Sequence, residues 1–256
     1  MRSAGVGPAA LAALVLTVAG AVRAAEGETT PWSYAGVTGP EHWSALSPEF
    51  RLCAQGRLQS PIDIRGAAEL PYVPLAFQYR SQPLEAINDG RGVYLPIPPG
   101  STLNIRGETH ALGEIHFHVP GEHRLDGETA AAEIHLMHRS AQGGAISVAV
   151  PIRAGHPGNA TLARIVERLP LSAGEQVYYR QVGINPLFVL PTRRSYFAYS
   201  GSLTQPPCSE PVSWILLAQP VDLEPDLLAR LTRATGTNAR PVQPLNERPV
   251  YAYPYR

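Results

Sequence analysis

The residues best suited to catalytic chemistry in this chain are histidines, and six of the eight fall within 29 consecutive positions. These six are His110, His116, His118, His123, His135 and His138. Neutral imidazole is a preferred ligand of zinc, and a catalytic zinc site keeps three protein ligands and one position open to water. The cluster therefore indicates a metal site.

Two segments of this cluster alternate with a period of two residues, which is the signature of β-strands. Their shared faces hold Glu114, His116 and His118 in residues 114–119, and Glu133, His135 and Met137 in residues 133–138. Turn-forming residues lie between the segments, so we expect the two strands to pair antiparallel across a loop. That pairing would bring His116, His118 and His135 together on one side of the sheet.

A carboxylate accompanies the third histidine, because Glu133 lies two residues before His135 on the same predicted face. Metal-binding histidines usually donate their second N–H to a carboxylate or a carbonyl, and Glu133 is suited to that role. The alternative is a chance alternation of three histidines on a solvated strand. From these residues alone, the prediction is a zinc-dependent hydrolase or hydratase-like site.

The composition excludes several other chemistries. All 21 basic residues are arginines, so the chain lacks the lysine of Schiff-base enzymes, Walker-type phosphate sites and protein kinases. The 21 acidic residues balance the arginines, which argues against a nucleic-acid partner. A serine hydrolase is disfavoured because the Gly-x-Ser-x-Gly motif is absent from the sequence.

The first residues of the chain predict export. Residues 1–24 combine a basic start, a short apolar run and small residues at the end, as in a cleaved signal peptide, with a membrane anchor as the alternative. We expect residues 25–256 to form a periplasmic or secreted protein with no membrane association. Cys53 and Cys208 are the only cysteines, and in an oxidising compartment we expect one disulfide rather than two buried thiols.

The elements that must position the histidines are short strands. The 26 prolines are spread along the chain, which breaks helices and favours strands joined by turns. Helices are predicted at residues 159–169 and 223–235. The length suits one domain, so the predicted fold class is mostly β with short helices.

A series of short motifs runs in order from Trp32 to about Val250. The motifs are Trp32-Ser33-Tyr34, Gly39-Pro40-Glu41-His42-Trp43, Gln59-Ser60-Pro61-Ile62-Asp63-Ile64, His116-Phe117-His118, Gly121-Glu122-His123, Glu133-Ile134-His135, Gly201-Ser202-Leu203-Thr204, Pro206-Pro207-Cys208 and Asn238-Ala239-Arg240-Pro241. This series resembles the alpha class of carbonic anhydrases. The resemblance implies a single domain around a large, twisted, mainly antiparallel sheet, with zinc at the base of a conical cleft.

The resemblance also implies an activity, the reversible hydration of carbon dioxide to bicarbonate, and a role for each site residue. Zinc would be bound by His116, His118 and His135, with Glu133 behind one ligand. Thr204 would orient the attacking hydroxide by accepting a hydrogen bond from it. Its own hydroxyl would donate a hydrogen bond to Glu122. The apolar wall that holds carbon dioxide would consist of Met137, Val148, Leu203 and Trp214. Structural roles would fall to a Cys53–Cys208 disulfide and to His42, His123 and His138.

The proton-transfer position departs from the family pattern. Family members carry a shuttle histidine after an Asn-Gly pair, and this chain has Arg91 there. Arginine stays protonated near neutral pH and cannot relay protons. His110 shares strand parity with His116, but six strand residues span roughly 20 Å, so His110 is a poor substitute.

Three other cleft positions differ: Tyr94 replaces a small amide, Gln205 a small hydroxyl residue, and Glu114 a glutamine. A carboxylate at Glu114 would make the imidazoles more basic and raise the pKa of the reacting water, unless it is protonated or solvated and acts as the amide would. We expect a zinc enzyme with slow proton transfer. The alternatives are a carbonic-anhydrase-like zinc-binding module with little or no hydratase activity, and a zinc-dependent esterase.

Overall fold

The computed structural model describes residues 30–255 together with Met1, so residues 2–24 of the predicted signal peptide lie outside the described residues. The helices are short: α1 (Trp43–Leu46), α2 (Leu52–Gln55), α3 (Ala160–Val166) and α4 (Pro225–Thr235), with 3-10 turns at Gly36–Thr38, Pro48–Phe50 and Pro186–Val189. Among the described residues, none of these helices is long and apolar enough to span a bilayer.

Strands make up most of the regular structure. They are β1 (Asp63–Ile64), β2 (Ala68–Glu69), β3 (Ala76–Gln78), β4 (Gln82–Asn88), β5 (Val93–Pro96), β6 (Thr102–Ile105), β7 (Glu108–His118), β8 (Arg124–Leu125), β9 (Glu128–Thr129), β10 (Ala132–Ser140), β11 (Ala145–Ala154), β12 (Gln176–Ile184), β13 (Tyr196–Gly201), β14 (Val212–Leu217), β15 (Val221–Leu223) and β16 (Tyr251–Tyr253). The predicted class, mostly β with short helices, is confirmed.

Within the described residues, thirteen strands form one sheet. Its main path runs β12-β4-β5-β7-β10-β11-β14-β13-β16-β2, and β3, β6 and β15 pair beside it. Most neighbours are antiparallel, whereas β11 pairs parallel with β14 and β15, and β16 pairs parallel with β2. A separate three-stranded sheet has the order β1-β8-β9. The expectation of a large, mainly antiparallel sheet is therefore also confirmed.

Both predicted helices form, and their ends follow from local chemistry. Asn159 caps α3, because its Oδ1 accepts hydrogen bonds from the N–H groups of Thr161 and Leu162 at 3.0 and 2.9 Å. The α4 helix begins with Pro225, which suits the first helical turn, and stops before Gly236, whose φ of 67° few other residues adopt. Buried leucine and isoleucine side chains of α3 pack into the main core.

The main core covers one face of the central strands and leaves the other face for the histidines. Ile115 and Phe117 of β7 and Ile134 and Leu136 of β10 are almost completely buried in this core. Because successive side chains of a strand point to opposite faces, the residues between them point the other way. The alternation read from the sequence therefore separates the residues that pack in the core from the residues that can act in the site.

A smaller buried cluster that contains aromatic side chains lies beside the histidine face. The disulfide between Cys53 and Cys208 joins two segments 155 residues apart in sequence. Both sulfurs lie in a buried cluster with Trp43 and Phe50. The predicted disulfide is present, and it ties α2 to the loop that follows Thr204.

Candidate metal centre

Three imidazole rings meet where β7 pairs with β10. The register pairs His116 directly with His135, and His118 with Glu133. Potential ligand nitrogens of His116, His118 and His135 all lie within 4.8 Å of one another. Nε2 of His116 and Nδ1 of His135 are 3.2 Å apart, close to the roughly 3.3 Å between two nitrogens on a tetrahedral zinc ion. The structure brings together the three histidines that the strand alternation singled out.

Each ring is held through the nitrogen that faces away from the other two rings. The three contacts are Nδ1 of His116 to Oε1 of Glu114 at 2.8 Å, Nδ1 of His118 to the carbonyl of Asn238 at 2.8 Å, and Nε2 of His135 to Oε1 of Glu133 at 2.6 Å. Within the described chain, the inner nitrogen of His118, Nε2, is buried without a hydrogen-bond partner. A bound cation would satisfy it, and this donor set fits zinc.

The protonation of the buried rings also suits a metal, which binds the neutral imidazole. Burial lowers the pKa of His135 to about 4, although the hydrogen bond that its Nε2–H donates to Glu133 acts in the opposite direction. Burial likewise holds the pKa of His118 well below its usual range. Both rings are therefore neutral at pH 7.

Glu133 is buried and fully bonded. Its Oε1 accepts from Nε2 of His135 and from Nδ1 of His123 at 2.7 Å, and its Oε2 accepts from the His123 backbone N–H at 3.0 Å. Burial alone would raise the pKa of Glu133, but the neighbouring His123 and His135 hold it well below its usual range. Nε2 of His123 then contacts the Tyr199 hydroxyl at 2.6 Å. His123 thus has the structural position that the resemblance implied.

Thr204 and Glu122 lie beside the three histidines, and both are almost completely buried. Oε1 of Glu122 accepts from the backbone N–H of Arg240 at 2.8 Å. Burial raises the pKa of Glu122 well above its usual range, although the Thr204 hydroxyl and the Arg240 amide act in the opposite direction. Thr204 lines the cleft, so it can present its hydroxyl to a reacting group above the three rings.

The cleft above the histidines has an apolar part and a polar part. The apolar part is a cavity of about 510 Å³ whose lining includes Met137, Leu203, Thr204 and Trp214. The polar part, about 270 Å³, is lined by residues that include Tyr34, Asp89, Arg91, Tyr94 and Asn238. Glu114, His116 and Gln205 line both parts. An apolar surface and a polar route to solvent therefore meet at the histidine rings.

Val148 does not lie in the apolar wall, contrary to the sequence prediction. The register pairs Val148 with Leu136 and Ile215, and all three belong to the main core. The residue on the cleft side is its neighbour Ser147, which pairs with Met137 and Trp214. A shift of one residue along a strand exchanges the two faces, which is why the prediction was wrong.

Arg91 lies in the polar part of the cleft and is held in two ways. Its Nε and one terminal nitrogen donate to Oδ2 of Asp89 at 3.0 and 2.7 Å. Its guanidinium carbon lies 4.7 Å from the centroid of the Trp32 ring, a cation–π contact. The only histidines that line the described cleft are His116, His118 and His135.

His110 is on the other side of the sheet, so the parity assigned to it from the sequence was wrong. Glu114 pairs with Met137, but the next pair joins Leu112 to His138, which leaves Gly113 as an extra residue in β7. This β-bulge reverses the alternation below it. His110 is consequently buried and pairs with Ser140. It cannot take the place of a shuttle in the cleft.

The other two histidines of the sequence prediction lie away from the cleft. His138 is buried, and its Nε2 contacts the Tyr79 hydroxyl at 2.7 Å. His42 is exposed and immediately precedes α1.

Sequence reasoning assigned no role to Asn238, which supports β7 from far along the chain. Its carbonyl accepts from His118, its Oδ1 accepts from the backbone N–H of Val119 at 2.9 Å, and its Nδ2 donates to the carbonyl of Phe117 at 2.9 Å. These contacts span about 120 residues, so no local pattern reveals them. The Asn238-Ala239-Arg240-Pro241 motif was the available signal.

Comparison with known proteins identifies the family. A sequence model described as eukaryotic-type carbonic anhydrase matches residues 38–254. The chain belongs to this family. Carbonic anhydrases from Nostoc sp. and Neisseria gonorrhoeae are 39% and 36% identical to it, over 88% and 95% of this chain and 87% and 96% of theirs. The enzyme class predicted from the motifs, carbonic anhydrase, is confirmed.

Solved structures of the carbonic anhydrase family share the fold. The alpha-carbonic anhydrase from Thermovibrio ammonificans, in complex with the inhibitor sulfanilamide, matches with a TM-score of 0.84 at 35% identity. The match covers 87% of this chain and 99% of that one. An enzyme from Photobacterium profundum matches with a TM-score of 0.81 at 36% identity, covering 86% of this chain and 100% of that one.

Proposed function

We propose that the protein catalyses the reversible hydration of carbon dioxide to bicarbonate with zinc bound by His116, His118 and His135. The observation that carries the proposal is the triad itself. Three ring nitrogens converge, and the outer nitrogen of each ring is already engaged by Glu114, Asn238 or Glu133. When bound there, zinc supplies the Lewis acidity that makes water a nucleophile near neutral pH.

The residues of the chain orient the reactants. Thr204, backed by the buried carboxyl group of Glu122, accepts a hydrogen bond from the nucleophile and fixes its direction of attack. Met137, Leu203 and Trp214 offer carbon dioxide an apolar surface and exclude competing water. The charged product then leaves through the polar part of the cleft.

Proton release is the slow step in this proposal. An arginine side chain does not relay protons near neutral pH. The ion pair with Asp89 and the contact with Trp32 hold Arg91 in one position. Protons must therefore leave through water to buffer molecules. The rate at low buffer concentration should be limited by this exit.

Stopped-flow hydration rates at rising imidazole concentration test the proposal. We expect turnover to rise with buffer, and Arg91→His to raise turnover at low buffer by about tenfold or more. Arg168→His is the matched control, because Arg168 is also half-buried and ion-paired but lies outside the cleft, and it should leave turnover unchanged. A fast wild-type rate that is indifferent to buffer would contradict slow proton release.

The same preparation distinguishes the enzyme from a zinc-binding module with little activity. Zinc content near one ion per chain with no hydration at any buffer concentration would favour the module. Zinc content with buffer-dependent hydration would favour the enzyme.

We infer export to the periplasm or the medium from the disulfide and from the predicted signal peptide at residues 1–24. N-terminal sequencing of the protein from fractionated cells tests this inference. A mature chain that begins near residue 25 outside the cytoplasm is expected, and an uncleaved cytoplasmic chain would contradict it.

A further inference from the structure

A separate cavity of about 300 Å³ lies behind the metal centre. Its lining includes His123 and Glu133, the buried pair that supports His135. It shares no lining residue with either part of the cleft. The volume is at the lower end of the range for small-molecule sites, enough for one aromatic ring with a short side arm.

The walls of this rear cavity are mostly apolar. The apolar side chains come from the β8–β9 hairpin, β11 and the end of β14, and include Leu125, Pro151, Ile152, Leu216 and Pro220. Three alanines, Ala130, Ala131 and Ala218, also line the cavity and leave room that larger residues would fill. A flat apolar group would gain both desolvation and dispersion contacts there.

Charged side chains line the same cavity, and they differ in how they are engaged. Arg153 is tied to Asp222 by an ion pair of 2.8 Å. The guanidinium of Arg124 has no hydrogen bond or ion pair within the described chain, and its acidic neighbour Asp63 is already paired with Arg65 at 2.7 Å. Arg124 is therefore available for an external carboxylate, which a guanidinium binds through two parallel hydrogen bonds.

Glu128 also lines the cavity and limits the charge that can bind. It would repel a second negative charge on a ligand bound by Arg124. A single carboxylate is consequently favoured over a dicarboxylate.

From these features we propose that the rear cavity is a second ligand site, specific for a small aromatic monocarboxylate. The ring packs against Leu125 and Leu216, and the carboxylate pairs with Arg124. This site shares no lining residue with the cleft, although Glu133 in its wall also holds His135. Its occupant touches the pair His123 and Glu133 and can be detected there.

The test uses the zinc-loaded protein saturated with sulfanilamide, the inhibitor named in the complex of the Thermovibrio ammonificans relative. Blocking the cleft in this way ensures that a carboxylate probe cannot be bound at the metal. The probe is 4-fluorophenylacetate, followed by fluorine NMR. We expect binding to persist, and the N–H signal of the His123 imidazole to shift as the probe is added.

Variants of the chain and of the probe then locate the site. Ala131→Leu and Ala218→Leu, on different segments, should each weaken binding at least about fivefold by filling the cavity. Arg124→Gln should weaken binding about three- to fivefold, to the affinity of the neutral probe 4-fluorophenylacetamide. Arg168→Gln is the matched control and should bind like the wild type.

Three results would overturn the proposal. The first is the absence of probe binding to the sulfanilamide-saturated protein. A probe that binds only in the cleft would give this result. The second is binding that neither leucine variant weakens while both retain the wild-type circular dichroism spectrum. The third is equal affinity for the acid and the amide. Failure of sulfanilamide itself to bind would instead count against the proposed zinc function, and the leucine variants would still test the rear cavity.

Discussion

Two glutamates support the histidine triad from very different surroundings. The side chain of Glu133 is 1% exposed and accepts three hydrogen bonds, from His135 and from the ring and backbone of His123. The side chain of Glu114 is 41% exposed and contacts His116 at 2.8 Å. One support is part of the core, and the other is part of the cleft wall.

The contrast separates two kinds of influence on the ligands. A buried carboxylate is stable only when its oxygens are fully bonded, so Glu133 fixes the orientation of His135 and cannot change without damage to the fold. Burial would raise the pKa of Glu114 as well, but the hydrogen bond from His116 outweighs it and holds that pKa below its usual range. Glu114 is therefore ionised, and it adjusts charge rather than geometry.

Replacing the buried support should have the largest effect. In Glu133→Gln the amide keeps one acceptor oxygen and turns its NH₂ towards an N–H donor. We expect zinc affinity to fall about 10- to 100-fold, and the free energy of unfolding of the zinc-free protein to fall by about 3 kcal/mol. Chelator competition and urea denaturation measure the two quantities.

Glu128→Gln is the matched control for that change, because Glu128 is an exposed glutamate without a hydrogen bond to a ligand. It should leave zinc affinity and stability unchanged. If Glu133→Gln bound zinc like the wild type, the buried carboxylate would not be what orients His135.

A buried histidine without a carboxylate partner should reduce the stability of the protein at acid pH. Burial lowers the pKa of His138 to about 4, from an ordinary value of 6.5. Below pH 6.5 His138 therefore binds a proton in the unfolded chain but not in the folded chain. The free energy of unfolding falls as the pH drops from 6.5 to 4. The loss attributable to His138 is about 3 kcal/mol at pH 4.

Urea denaturation of the zinc-free protein between pH 7 and pH 4 measures this loss. His138→Gln keeps an acceptor for the Tyr79 hydroxyl and should reduce the loss between pH 7 and pH 4 by about 3 kcal/mol, while the contributions of His118 and His135 remain. An unchanged slope in this variant would mean that His138 is not the responsible group.

Replacing the exposed support should have the smallest effect. Because Glu114 reaches solvent, Glu114→Gln should change the free energy of unfolding by no more than about 0.5 kcal/mol. Zinc affinity should fall less than tenfold, short of the loss in Glu133→Gln. The hydration rate should stay high to a lower pH than in the wild type. The reason is that the variant removes a negative charge that raises the pKa of the reacting water.

The pH–rate profile and zinc competition of Glu114→Gln complete the comparison. A loss of zinc as large as that of Glu133→Gln would remove the distinction between the two carboxylates. A pH profile identical to the wild type would show that the charge of Glu114 does not reach the reaction.

Much of the site could be predicted from local pattern. The period-two alternation put His116, His118 and His135 on matching faces, and the core residues between them confirm why, since Phe117 and Ile134 must pack on the other side. The alternation failed at His110 because Gly113 adds one residue to β7, and this isolated glycine, a residue that often marks a bulge in a strand, was the local signal for it. The alternation also did not indicate Ser147, whose position on the cleft side depends on the register of β11 against two other strands.

The sequence by itself determined the ligand types, the strand alternation, the cysteine pair and the arginine where a proton carrier is expected. These are local properties, since side-chain chemistry and a two-residue period need no partner strand to be read. Only the tertiary structure decided which nitrogen of each ring faces inward, because the supports come from Asn238, 120 residues away, and from carboxylates on two strands. Register and long-range hydrogen bonds turn a row of histidines into a site of defined geometry.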